Sequence, residues 1–222
     1  IIVLVIGLLI FPLLKAQNER HSKMTTLMGS IFEITAIHED AQTAWDGINA
    51  GIAEITRIEK LISSWDPNSQ TSEINKNAGV KPVKVDQELF DLVSRSIRLS
   101  ELTGGAFDIS FASMDRIWKF DGSMLETPDA DIVKKAASKI GYENIELNAN
   151  LNTIFLKNNG MKIGFGGIGK GYAAMRAKEV MLALGIENGV VNASGDLMAW
   201  GKQENGEAFK VGIADPKEKE KV

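Results

Sequence analysis

Apolar residues along this chain recur with two different periods, and each marks elements of its own. Ser30 to Ile37 (SIFEITAI) alternates apolar and polar positions, the period of a half-buried strand. Ala41 to Ile62 then sets Trp45, Ile48, Ile52, Ile55, Ile58 and Ile62 three or four residues apart, which predicts an amphipathic helix. The polar stretch from Ser63 to Gly79 reads as a loop that turns at Asp66-Pro67-Asn68-Ser69. A second helix starts after Asp86 as its cap and runs to about Leu102, with Leu89, Phe90, Val93 and Ile97 on its inner face. Thr103-Gly104-Gly105 ends it.

Thr127 and Pro128 stand in the order of a cap and first helical residue, and Gly141 closes that third helix. Glu143 to Lys157 reads as a hairpin turning at Asn148-Ala149-Asn150, its second arm a strand from Asn152 to Lys157. A helical pattern follows from Tyr172 to Leu184, ended by Gly185. Gly189 to Ala193 reads as a buried strand, broken by Ser194-Gly195-Asp196, and Leu197 to Ile213 as a further hairpin.

The chain opens on IIVLVIGLLIFPLL, too short to span a bilayer comfortably but suited to the apolar core of a signal peptide. No initiator Met or basic segment precedes it, so the front reads as clipped; a few more residues upstream would make it an uncleaved anchor, and a buried helix is a third reading. Residues 1–17 are therefore expected to be an export signal or N-terminal membrane anchor. The working domain, residues 24–222 with ordered structure from Thr25, would then lie on the outer side of a membrane. No Cys follows the apolar run, so a lipid-anchored lipoprotein is not supported.

At 222 residues the chain has material for one large or one two-lobed domain. Its net charge of −4 argues against nucleic acid as a main partner. The absence of cysteine excludes disulfides, thiolate catalysis and zinc–cysteine sites. His21 and His38 are far apart and are expected to face solvent rather than form a metal site.

Candidate chemistry concentrates in MKIGFGGIGKGY, Met161 to Tyr172, between a predicted strand and a predicted helix. Glycines there let backbone N–H groups approach a ligand, and a helix N-terminus favours an anion. Lys170 adds a cation suited to a phosphate. Gly164-x-Gly166-x-x-Gly169 spells a dinucleotide fingerprint, which requires a βαβ unit and an acidic residue about 20 positions on; Glu187 is near that distance but precedes the next strand. Gly164-x-x-x-x-Gly169-Lys170 spells most of a P-loop, but Gly171 replaces the magnesium-binding hydroxyl. Tight strand-to-helix packing is the plain alternative. Two more residues stand out by position: Trp65 in a polar loop, as a core cap or a stacking surface, and Asp108 after Gly104-Gly105, as a turn residue or a ligand-facing acid.

Five segments in order, MGS (Met28 to Ser30), SSWDPNSQTSEIN (Ser63 to Asn75), TGGAFDIS (Thr103 to Ser110), GFGGIGKGYA (Gly164 to Ala173) and VNASGDLMAWG (Val191 to Gly201), together resemble the ApbE family of FAD:protein FMN transferases from about Met24 to Asp215. The resemblance implies an α+β domain with mixed or antiparallel sheets and packed helices, binding FAD with magnesium. It implies transfer of FMN from FAD to a threonine hydroxyl of a partner flavoprotein, with release of AMP. Family acceptors are subunits of exported or membrane redox complexes, which agrees with a periplasmic or membrane-anchored location. Hydrolysis of FAD to FMN and AMP, or flavin binding without catalysis, are the alternative activities.

Carried over by position, the resemblance implies flavin contacts at Met28, Trp65, Ala106, Phe107, Asp108, Gly166 and Tyr172. It implies a magnesium-ligating carbonyl at Gly169 and a phosphate-facing Lys170. Asn192 and Asp196 match an element that shapes the site. Because the nucleophile belongs to the acceptor, the protein's task is to align the pyrophosphate and neutralise charge, with Asp108 and Asp196 as candidate bases. Several positions depart from the family pattern: Gly164 stands where many relatives carry Asp, Ser30 replaces a Thr, Ser194 a Gly and Met175 a common Asp. The chain also stops before the family's C-terminal His-x-x-Asp-Pro stretch and later Asp and Thr ligands, so the residues present are expected to under-coordinate magnesium.

Overall fold

The computed structural model describes residues 17–212, except 116, 119, 120, 122 and 125. All but the last residue of the expected export segment, and the charged C-terminal run, lie outside the described residues. In chain order the elements are β1 (Glu19–Leu27), β2 (Ser30–His38), α1 (Ala41–Ile62), α2 (Gln70–Lys76), β3 (Val83–Lys84) and α3 (Gln87–Leu102). They continue with α4 (Ala130–Ala137), β4 (Ile145–Asn148), β5 (Thr153–Leu156), α5 (Gly169–Ala183), β6 (Asn188–Ala193) and β7 (Asp196–Trp200). Short 3-10 turns occupy Ile109–Ser113 and Tyr142–Asn144. Among the described residues no helix is long and apolar enough to cross a membrane.

Two antiparallel sheets result, one ordered β1-β2-β6-β7 and the other β3-β5-β4. Helices α1 and α5 pack together over the four-stranded sheet. A Cβ added at Gly47 would meet Ile186, one at Gly51 Met181, and one at Gly169 Ile62. These contacts run in opposite order along the two segments, so α1 and α5 are antiparallel, and the α1 glycines let their backbones close together. One continuous apolar core holds Phe32, Ile34, Ile48, Ile55, Ile58, Leu89, Ile154 and Met181, all fully buried, and so joins both sheets.

The α+β architecture and antiparallel sheets agree with the expectation from the sequence. The topology removes the dinucleotide-fold reading: β5 before the glycine segment and β6 after α5 lie in different sheets, so no parallel βαβ unit exists there.

Several local expectations are corrected. Structure begins before Thr25, because β1 pairs with β2 from Glu19↔His38 to Leu27↔Ser30. The polar stretch after α1 contains α2, capped by Ser69, whose hydroxyl accepts from Ser72 N at 2.9 Å. Asp86 precedes α3 but makes no side-chain cap bond; its carboxylate accepts from Gln70 Nε2 at 2.5 Å instead. The third helix is capped by Asp129, not Thr127, through a 2.8 Å bond from Asp131 N. Gly141 lies beyond the end of that helix, at Ala137. β7 pairs back onto β6 around Ser194-Gly195, so the hairpin uses the break itself as its turn; residues 201–212 add no strand, and Ile213 lies outside the described residues. His21 is half-buried, edge-on to Trp45 with ring centroids 5.7 Å apart, and does not simply face solvent.

Candidate functional site

Residues Met161 to Phe165 are buried except for Lys162, with Met161, Ile163 and Phe165 in the core, yet they join neither sheet. The chain then turns through Gly166 and Gly167 into α5. Gly164 N donates to Ile109 O at 2.9 Å, fastening the glycine segment to the 3-10 turn that follows Asp108. Space around the segment is tight. A Cβ at Gly164 would stand 3.1 Å from Ala112 Cβ, at Gly166 3.4 Å from Phe111, and at Gly167 3.3 Å from Phe107. Glycine is therefore what keeps this backbone close to the aromatic rings and open toward solvent.

Two cavities flank the glycine backbone. The larger, about 1060 Å³, is lined by Trp65, Phe111, Gly164 and Gly166 together with Asn75 and Lys162. The smaller, about 510 Å³, is lined by Ala106, Phe107 and Asp108 with Gly164, Gly166 and Gly167. Gly164, Gly166 and Phe111 border both, so they form the saddle between them. Trp65 is 78% exposed at the mouth of the larger one and caps no core. Its backbone is held from below by Ser63, whose Oγ accepts from Trp65 N at 3.2 Å and Asp66 N at 3.1 Å.

A second group of expected residues meets at the start of α5. Met28 and Gly29 form the two-residue turn between β1 and β2, both at positive φ (51° and 70°), as a tight hairpin requires. Ser194 and Gly195 do the same between β6 and β7, at 57° and 109°. The Phe32↔Ala193 pairing puts both turns at one end of the sheet, and the first turn of α5 lies against them. A Cβ at Gly169 would lie 3.5 Å from Met28 Cε, and one at Gly171 3.8 Å from Asp196 Oδ1. No side chain caps α5, so its N-terminal N–H groups and the half-buried Lys170 make an end suited to an anion.

The ApbE family model matches residues 28–222. The chain belongs to the ApbE family. It is 26% identical over 198 residues to the FAD:protein FMN transferase of Klebsiella pneumoniae (strain 342), covering 87% of this chain and 56% of that protein. It is 30% identical over 168 residues to the FAD:protein FMN transferase of Buchnera aphidicola subsp. Schizaphis graminum, covering 74% and 48%. The ApbE protein from Thermotoga maritima superposes with a TM-score of 0.79 at 27% identity, over 90% of this chain and 65% of that one. The flavin transferase ApbE from Vibrio cholerae superposes at 0.77 and 20% identity over the same shares, a likeness of fold. The chain spans about half the length of the curated relatives it matches.

Within this ApbE-family fold, the expected site residues fall into three places. Trp65, Ala106, Phe107, Asp108 and Gly166 surround the two cavities. Met28, Gly169, Lys170 and Asp196 gather at the start of α5. Tyr172 lines neither cavity and joins an ion-pair cluster, its hydroxyl donating to Glu88 Oε1 at 2.8 Å.

Asp108 has a structural task. Its Oδ1 accepts from Ser110 N at 2.7 Å and its Oδ2 from Tyr142 N at 2.9 Å, so both oxygens clasp backbone. Asp196, exposed at the hairpin turn, has no such commitment among the described residues. Sequence reading missed Phe111, which shapes both cavities from a five-residue 3-10 turn too short to show a period.

Proposed function

We propose that this chain carries the flavin-binding core of an FAD:protein FMN transferase. The observation that carries the reading is the saddle of Gly164, Gly166 and Phe111 beside the exposed indole of Trp65, a few residues before the uncapped start of α5. A planar ring system fits against an indole and a side-chain-free backbone. A pyrophosphate fits the helix N-terminus and Lys170.

In the reaction, a threonine hydroxyl oxygen of the acceptor forms a bond to the FMN-side phosphorus. The bond from that phosphorus to the bridging oxygen breaks, and AMP leaves with the oxygen and its electron pair. The hydroxyl proton passes to a base. Asp196 suits that role better than Asp108, whose oxygens are occupied by N–H donors. Ala106, Phe107 and Asp108 then act by shaping the second cavity, and Met28 by packing beneath Gly169.

Magnesium enters the proposal only through the family resemblance in the sequence, and the described residues alone do not fit it. They gather no group of three or more His, Cys, Asp or Glu side chains. The Gly169 carbonyl and Asp196 fall short of the near-octahedral oxygen set that magnesium demands. The acceptors proposed are flavoprotein subunits of membrane redox complexes, met on the outer side of the cytoplasmic membrane.

Incubating the chain with FAD, magnesium and a threonine-bearing flavoprotein domain, then weighing the products, tests the reading. An acceptor heavier by one FMN, with AMP released, supports transfer. FMN and AMP without an adduct would replace transferase by hydrolase, and FAD bound but unchanged would leave flavin binding without catalysis.

A further inference from the structure

Among the described residues no strand flanks the glycine segment, and two side chains supply what a ladder would. Asn75, on α2, accepts from Ile163 N at 2.8 Å and donates through Nδ2 to Ile163 O at 3.0 Å. One residue earlier, Ser113 Oγ accepts from Lys162 N at 2.8 Å and donates to Lys162 O at 2.9 Å. Both donor and acceptor of two consecutive backbone residues are thereby satisfied by side chains, a task that in a sheet would take a strand on each side. Asn75 lies 88 positions from Ile163 in sequence, so these bonds are tertiary.

The place of Asn75 gives it a second consequence. Helix α2 grows directly out of the loop that carries Trp65, through the Ser69 cap. Asn75 thus ties the indole-bearing wall of the larger cavity to the glycine-bearing wall, and it lines that cavity itself.

We propose that Asn75 and Ser113 are positioning residues that hold the glycine loop against its ligand in place of a strand, with Asn75 also setting the gap between that loop and Trp65. This rests on the reading that the cleft takes a flavin. A planar ring tolerates little change in the spacing of the surfaces that enclose it, so a loosened loop weakens binding without touching the ligand. The carboxamide of Asn75 suits the bond pair, because Oδ1 accepts and Nδ2 donates from the same Cγ.

The test measures amide hydrogen exchange and FAD affinity on the full chain, comparing wild type with Asn75→Asp, Asn75→Ala, Ser113→Ala and Ser113→Thr. Asn75→Asp is isosteric but turns an oxygen toward Ile163 O. We expect it to speed exchange of the Ile163 and Gly164 amides and to weaken FAD binding, each by about tenfold or more. The amides of α1 should exchange at the wild-type rate. Ser113→Ala should act in the same direction, and Ser113→Thr, which keeps the hydroxyl, should restore both readouts.

Variants that exchange and bind like wild type would overturn the proposal. So would faster exchange spread evenly into α1, which would mark a general loss of stability. If the Asn75 variants do not fold, the Ser113 pair decides. If wild type binds no FAD, the transferase reading falls, and local exchange at Ile163 and Gly164 alone decides the positioning role.

Discussion

The hydroxyl of Tyr172 donates to Glu88 Oε1 at 2.8 Å, tying the first turn of α5 to the start of α3. Arg57 from α1 forks onto the same carboxylate at 2.7 and 3.0 Å and onto Glu54 at 2.8 Å through both Nε and Nη2. Arg176 closes the cluster from α5, 3.3 Å from Glu54 and 3.5 Å from Glu88. Three helices therefore meet at one half-buried ionic knot, next to the turn that carries Gly169 and Lys170. Burial, and then the bond to Glu88, pushes the Tyr172 hydroxyl well above its ordinary range, so it stays a donor.

Removing that hydroxyl isolates its contribution. Tyr172→Phe should lower stability by about 1–2 kcal/mol, the effect of losing a hydrogen bond to a charged group, read as a lower urea midpoint with unchanged slope. An unchanged midpoint would mean the bond contributes nothing to holding α5.

The same cluster predicts an acid limb. Hydrogen bonds from Arg57 hold the Glu88 and Glu54 carboxyls below their ordinary value of 4.5. A carboxyl lowered in the folded state stabilises the protein above its unfolded value, and that stability is lost as pH falls through the lowered folded value. Urea midpoints should therefore fall as pH drops below the ordinary value of 4.5 and through the lowered folded values, and less steeply in Glu88→Gln. Equal acid slopes in both proteins would contradict the assignment.

Packing gives a prediction independent of charge. A Cβ at Gly189 would lie 2.6 Å from Trp200 Cζ2 and 2.7 Å from the carbonyl oxygen of Thr35 in the neighbouring strand. Backbone cannot yield as a side chain can, so Gly189→Ala should cost about 1–3 kcal/mol, visible in thermal melting. A wild-type melting temperature would show that β6 has room the geometry denies.

Lys170 offers a test of where the phosphates lie. Lys170→Ala should weaken FAD binding by about tenfold, as loss of one charged contact would, while leaving riboflavin, which has no phosphate, unaffected. Equal losses for both ligands would remove Lys170 from the phosphate site.

How much of this was legible in the sequence differs from element to element. α1 announces itself because Ile48, Ile55, Ile58 and Ile62 share one face over 22 residues, and its bounds match the periodic run. β1 does not, since ERHSKMTTL is an edge strand exposed over most of its length and carries no apolar alternation. α2 is only seven residues and hides in a polar stretch, though Ser69 followed by Thr71 and Ile74 holds its cap and inner face. β3 is two residues long and exists only by pairing with β5.

The glycine segment was visible as a candidate site. Its mode of support was not, because the bonds from Asn75 and Ser113 span 88 and 49 positions and follow no local period. Asp108 shows the opposite limit: its position after Gly104-Gly105 marks it, but its clasp on Ser110 and Tyr142 follows from contacts that span up to 34 positions.

Titration of the full chain with FAD, followed by flavin fluorescence, tests whether a flavin lies between Trp65 and the glycine saddle. In wild type the emission should be quenched saturably by the indole, and Trp65→Ala should lose most of the quench and weaken affinity by about tenfold or more, as loss of a stacked aromatic surface would. Identical titrations of wild type and Trp65→Ala would contradict the claim and place any bound flavin elsewhere on the protein.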